Sequence, residues 1–117
     1  MNTRLTALVL LACTLCGCTT MPTPPSPIET RWQGKSAGAF FARFAPPYAD
    51  ARVGDDTVYN WRGGFQRIKT VDGQRISASC SANLTTDSNY RIKSIHVVSD
   101  RPGTKGPSYC TELLTAE

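Results

Sequence analysis

Apolar and polar positions divide the chain into three stretches before any motif is considered. Leu5 to Leu15 (LTALVLLACTL) is apolar and uncharged and follows the basic start Met1-Asn2-Thr3-Arg4. It falls well short of the roughly 20 apolar residues that a membrane-spanning helix needs, and it has the make-up of a signal-peptide core. Thr19 to Ile28 (TTMPTPPSPI) has no apolar period and carries Pro22, Pro24, Pro25 and Pro27. Such a composition resists helix formation and favours an extended polyproline II spacer. From Arg31 onward, periodic patterns begin.

Ala37, Phe40, Phe41 and Phe44 recur at i, i+3, i+4 and i+7, one face of a helix. Ser36 is a suitable N-cap, and Ala45-Pro46-Pro47 ends the pattern because a residue before proline avoids helical geometry. β-rich stretches follow. Thr57–Arg62 places Val58 and Asn60 on one side and Tyr59 and Trp61 on the other, and Gly63-Gly64 is expected to break this strand. Phe65–Val71 reads as a second strand, closed by the Asp72-Gly73 turn signal. Arg75–Leu84 alternates cleanly, with Ile76, Ala78, Cys80, Ala82 and Leu84 on one face. Thr85–Asn89 reads as a turn, Arg91–Ser99 as another strand, and Pro107–Thr115 as a short terminal helix with Cys110, Leu113 and Leu114 on one side. This order predicts an α+β domain: a short helix packed on a three- to four-stranded antiparallel sheet, with a short C-terminal helix. Phe40, Phe41 and Phe44 are expected to pack against the face carrying Ile76, Ala78 and Leu84.

Leu15-Cys16-Gly17-Cys18 resembles the lipobox of bacterial lipoproteins, with a small residue before the cysteine that carries lipid. The resemblance implies a signal peptide over residues 1–17 cleaved after Gly17, a lipidated Cys18 heading a proline-rich tether over residues 18–30, and one domain over residues 31–117. A rival frame ending at Cys13 leaves a shorter apolar core and keeps Cys16 and Cys18 as a spare pair near the anchor. With cleavage before Cys18, Cys13 and Cys16 leave with the signal and Cys18 carries lipid, so Cys80 and Cys110 are left to pair out of five cysteines. An even remainder in an exported protein predicts a disulfide between them. Thr19 follows the lipidated position, where the resemblance associates aspartate with inner-membrane retention, so an outer-membrane location with the domain in the periplasm is expected. Membrane lipid is then the first partner, and the covalent lipid on Cys18 takes the place of any cofactor.

The net charge of +4 is mild, and with an exported destination it gives no ground for nucleic-acid binding. Candidate chemistry is sparse. Gly34-Lys35-Ser36 ends like a phosphate-binding loop, but Glu29 stands where that motif needs its first glycine, so helix capping is the expected role. His96 is the lone histidine and has no second nitrogen ligand for a zinc site. Asp55 and Asp56 are adjacent in an extended stretch and point apart, so they do not form a proton-sharing dyad. Asn83-Leu84-Thr85 matches a glycosylation sequon, but the lipobox resemblance implies a bacterium and makes it a chance match. No second base is available for a serine triad, so no catalytic and no metal-binding residue is assigned. Arg62, Arg67, Lys69 and Arg75 cluster around the Gly63–Gly73 segment. With Trp61 and Phe65 they form a candidate patch for anionic lipid, lipopolysaccharide or an acidic partner, weighed against a hairpin edge protected by charge.

Gly34-Lys35-Ser36, the phenylalanine-rich helix, Phe44-Ala45-Pro46-Pro47 and Thr57-Val58-Tyr59-Asn60-Trp61 together resemble small outer-membrane lipoproteins of the SmpA/OmlA (BamE-like) kind over about residues 35–84. This chain has Ala45 where that pattern usually has glycine. The resemblance implies a non-enzymatic scaffold that contacts outer-membrane assembly proteins. The other expected role is a periplasmic binding or inhibitor module, for example against a lysozyme, which would project a loop such as Ala49–Asp56.

Overall fold

The computed structural model describes residues 24–117, so the expected signal peptide over residues 1–17, Cys18 and the first part of the expected tether lie outside the described residues. Along them run α1 (Pro27–Trp32), α2 (Ala37–Phe44), β1 (Ala49–Val53), β2 (Asp56–Lys69), β3 (Arg75–Thr86), β4 (Ile92–Ser99) and α3 (Tyr109–Leu114). The strands form one antiparallel sheet in the order β1-β2-β3-β4. The fold is α+β, as the alternation of periods predicts.

The domain starts earlier than the tether boundary at residue 30. Pro27 opens α1 at a position where its missing N–H costs nothing, and the Ser26 hydroxyl accepts from the Glu29 N–H at 3.2 Å. Ile28 and Trp32, one helical turn apart, are both buried. The Trp32 indole N–H donates to the Leu114 carbonyl at 2.7 Å, joining the first helix to the last. Gly34-Lys35-Ser36 then runs beside the start of β4. The Gly34 N–H donates to the Ile92 carbonyl, the Ile92 N–H to the Lys35 carbonyl, and the Ser36 hydroxyl accepts from the Gly38 N–H as the cap of α2. The segment has the capping role expected of it.

Phe40 and Phe41 are buried and Phe44 is packed against the core. Their aromatic neighbours are on β2 and α1: Phe40 meets Trp61 and Trp32 edge-on at 5.2 and 5.1 Å, and Phe41 meets Tyr59 at 5.3 Å. Ala78 and Leu84 belong to the same core cluster, with Ile76 at its margin.

The strand expectations need two corrections. Gly63-Gly64 does not break the chain into separate strands. Gly63 pairs with Cys80 and Gln66 with Ala78, so Gly64 and Phe65 together stand opposite Ser79 in a β-bulge within one long strand. Ala49–Asp56 is not a projecting loop. Ala49–Val53 pairs with Asp56–Asn60 as a hairpin, and Gly54 turns the chain at φ +63.

The terminal helix α3 is capped by Ser108, whose hydroxyl accepts from the Thr111 N–H at 3.0 Å. Cys80 and Cys110 form a disulfide that ties α3 to the middle of β3. Closing a loop of this span, a separation of 30 residues, stabilises by about 3–4 kcal/mol in the chain-entropy description.

Candidate functional site

The two faces of the sheet have opposite chemistry. On β3, Ala78, Cys80, Ala82, Leu84 and Thr86 are buried, while Ser77, Ser79, Ser81, Asn83 and Thr85 between them are exposed or half-buried. Thr86 is the one polar residue of β3 on the buried face, and the period of two puts Ser77, Ser79, Ser81, Asn83 and Thr85 on the face opposite the helices. The same face of β2 carries Asn60 and Arg62 before the bulge, paired with Asn83 and Ser81, and Arg67 and Lys69 after it, paired with Ser77 and Arg75.

The bulge creates this set. Arg62 and Arg67 are five residues apart, and in an unbroken strand they would point to opposite sides. Two residues against one shifts the count, so both arginines share the open face, while Trp61 and Ile68 share the buried one. Gly64 takes φ +70, a conformation that side chains other than glycine rarely adopt. α3 covers this point. The Tyr109 hydroxyl donates to the Gly64 carbonyl, and a Cβ on Gly64 would lie 2.3 Å from Leu113 Cδ2. The bulge is therefore held by its own backbone and by the helix that the disulfide fixes above it.

Beside the bulge, a groove of about 520 Å³ is lined by Arg62, Arg67 and Arg101 and by Ser77, Ser79 and Ser99. Phe65 is 69% exposed at its rim, and the Arg62 guanidinium lies 5.4 Å from its ring centre. Among the described residues, none of these arginines has a carboxylate within ion-pair distance. The nearest acid along the chain, Asp100, accepts from the Ser108 hydroxyl and from the Cys110 N–H at 2.9 Å, so it serves α3. Lys69 stands directly across from Arg75, an arrangement of like charges that costs stability. A guanidinium cannot shed its proton to relieve such crowding. An incoming anion would relieve it.

Of the residues expected to form a basic patch, Arg62, Phe65, Arg67, Lys69 and Arg75 do come together at this end of the sheet. Trp61 does not. It is 0% exposed, its indole N–H donates to the Ala45 carbonyl at 3.1 Å, and it belongs to the core. Arg101 and the three serines were not legible as site residues. The serine alternation is visible in the sequence, but Arg101 reaches the groove from the loop after β4, which no local pattern signals.

The remaining candidates are structural. Asp56 pairs with Lys93 at 2.8 Å, which raises the Lys93 ammonium above its ordinary range, while Asp55 sits in the hairpin turn. His96 is exposed on β4. Among the described residues no group of three or more His, Cys, Asp or Glu side chains could hold a metal, and no helix is long and apolar enough to cross a membrane. The sequence matches no family model and no curated protein, and the fold matches no solved structure.

Proposed function

We propose that this chain is a non-enzymatic accessory lipoprotein of the bacterial outer membrane, anchored through Cys18, that binds its partner on the helix-free face of its sheet. The observation that carries this reading is the contrast between the two sheet faces. One is closed by three helices, and the other presents an arginine–serine groove with no carboxylate paired to it among the described residues. Buried work is confined to one side, which leaves the other free for recognition. The resemblance to small outer-membrane lipoproteins supports a scaffold contacting outer-membrane assembly proteins. The inhibitor reading is weaker, because Ala49–Asp56 is a paired hairpin with no loop to insert into an enzyme cleft.

Two measurements test the proposal. Photo-crosslinkers placed at Phe65 and at Ala39, which is exposed on α2, should differ in living cells. Phe65 should give a discrete crosslinked species and Ala39 none. Equal patterns at both positions would remove the open face as the binding surface. Cys18→Ser should abolish fatty-acid labelling and release the protein from membranes. Retained labelling would move the anchor to Cys13 or refute it.

A further inference from the structure

We infer that the Arg62/Arg67/Arg101 groove is a binding site for a phosphomonoester carried on a lipid. The inference rests on the reading of the domain as membrane-anchored and deepens it by assigning the ligand.

The charge argues for a phosphomonoester over a carboxylate. One arginine satisfies a carboxylate with two parallel hydrogen bonds. This groove is lined by three arginines that have no acidic partner among the described residues, and by Ser77, Ser79 and Ser99, whose hydroxyls are further potential donors. A phosphomonoester brings about −1.5 to −2 charges and three acceptor oxygens, which matches several convergent donors. Lys69 and Arg75 extend the cationic strip beyond the groove, so a ligand approaching along it meets one sign of charge.

The size and the rim argue for an organic body behind the phosphate. A volume of about 520 Å³ lies within the roughly 300–1,000 Å³ of small-molecule sites and exceeds what an inorganic ion fills. Phe65 offers an apolar surface at the edge, and the bulge is what puts it there. An exposed phenylalanine contributes little to folding, so its place beside three arginines fits an amphiphile whose apolar part leaves the groove across the ring. The anchor then keeps the site at the surface where such lipids lie.

Calorimetric titration of the full lipidated chain in non-ionic micelles tests this with four probes. These are short-chain phosphatidic acid, short-chain phosphatidylcholine, glucose 1-phosphate and inorganic phosphate. The expected result is saturable one-to-one binding of phosphatidic acid, at least about tenfold tighter than any other probe. Arg67→Gln with Arg101→Gln should weaken it by about tenfold or more at an unchanged melting temperature. Phe65→Ser should lower the affinity for phosphatidic acid and leave that for inorganic phosphate unaltered. Glucose 1-phosphate binding as tightly as phosphatidic acid would overturn the lipid assignment in favour of a soluble ligand. Equal affinity for inorganic phosphate, full retention of binding by the double arginine variant, or no saturation would each overturn the site. A discrete protein crosslink from Phe65 without phosphatidic acid binding would overturn this inference and leave the anchored binding module standing. Fatty-acid labelling that persists without Cys18, with phosphatidic acid binding intact, would do the reverse.

Discussion

The two faces of β3 interleave residue by residue along the chain, apolar at even numbers through Leu84 and small polar at odd ones from Ser77, and the structure treats them oppositely. Even positions from Ala78 to Thr86 are closed off by α2 and α3 and hold the disulfide, whereas odd positions from Ser77 to Thr85 meet solvent and three arginines. Stability is concentrated on the first face and recognition is available on the second. The bulge at Gly64 makes the division possible on β2 as well, because without it Arg67 would turn into the core and Ile68 out of it. Substitutions on the buried face should therefore unfold the domain, and those on the open face should leave it intact.

The largest break is expected at the centre of the buried face. Trp61→Ala removes a fully buried ring that packs on Phe40 and should cost about 3–5 kcal/mol, read from urea unfolding midpoints. A loss below about 1 kcal/mol would mean that Trp61 belongs with the surface patch after all. Replacing Cys80 and Cys110 together by alanine should cost about 3–4 kcal/mol. Non-reducing mass spectrometry of the native protein checks the premise, since two freely alkylated thiols would remove it.

Gly64→Ala probes the hinge between the faces. It forces a side chain into φ +70 and against Leu113, so a loss of about 2 kcal/mol or more is expected from strain and displacement of α3. If stability were unchanged, the bulge would be too pliable to hold the arginines in place.

Tyr109→Phe removes one hydrogen bond at the same point and should cost about 1 kcal/mol. Burial, and then the nearby Glu112 carboxylate, raises the Tyr109 phenol above its ordinary value of about 10. A raised value means that the folded state favours the neutral phenol. Its contribution is complete below pH about 10 and is lost as pH rises through the folded value. Burial and Tyr59 raise Tyr90 in the same direction, so the wild type should lose stability above pH about 10 and the variant should lose less. Parallel alkaline profiles for the two proteins would contradict this account.

The smallest effect on folding belongs to the open face. Arg67→Gln with Arg101→Gln should shift stability by no more than about 0.5 kcal/mol, and relief of like-charge crowding could make the shift positive. A cooperative loss as large as that of Trp61→Ala would erase the distinction between the faces.

Much of the architecture was readable because local periods carry it. The stripe Ala37, Phe40, Phe41 and Phe44 specified α2, and the alternation through Ile76, Ala78, Cys80, Ala82 and Leu84 specified β3. α1 was also marked, by Ser26-Pro27 with Glu29 behind it and by Ile28 and Trp32 a turn apart, but the neighbouring prolines hid it under the signature of a tether. β1 left no mark. All five of its residues are exposed, and an edge strand that buries nothing has no hydrophobic pattern to show.

The sequence by itself determined the periods of α2 and β3 and the set of cations, since these depend only on the order of residue types along the chain. The tertiary structure decided which side of β2 became the interior. On β3 the apolar side chains all share one face, but β2 carries Val58 on one face and Tyr59 and Trp61 on the other, and only packing against helices distinguishes them. Trp61 could thus be read as surface or core until α2 settled on it. Gly63-Gly64 could be read as a break until β3 paired on both sides of it. Arg101 joined Arg62 and Arg67 only because the chain returns across the sheet, a long-range meeting that no local pattern encodes.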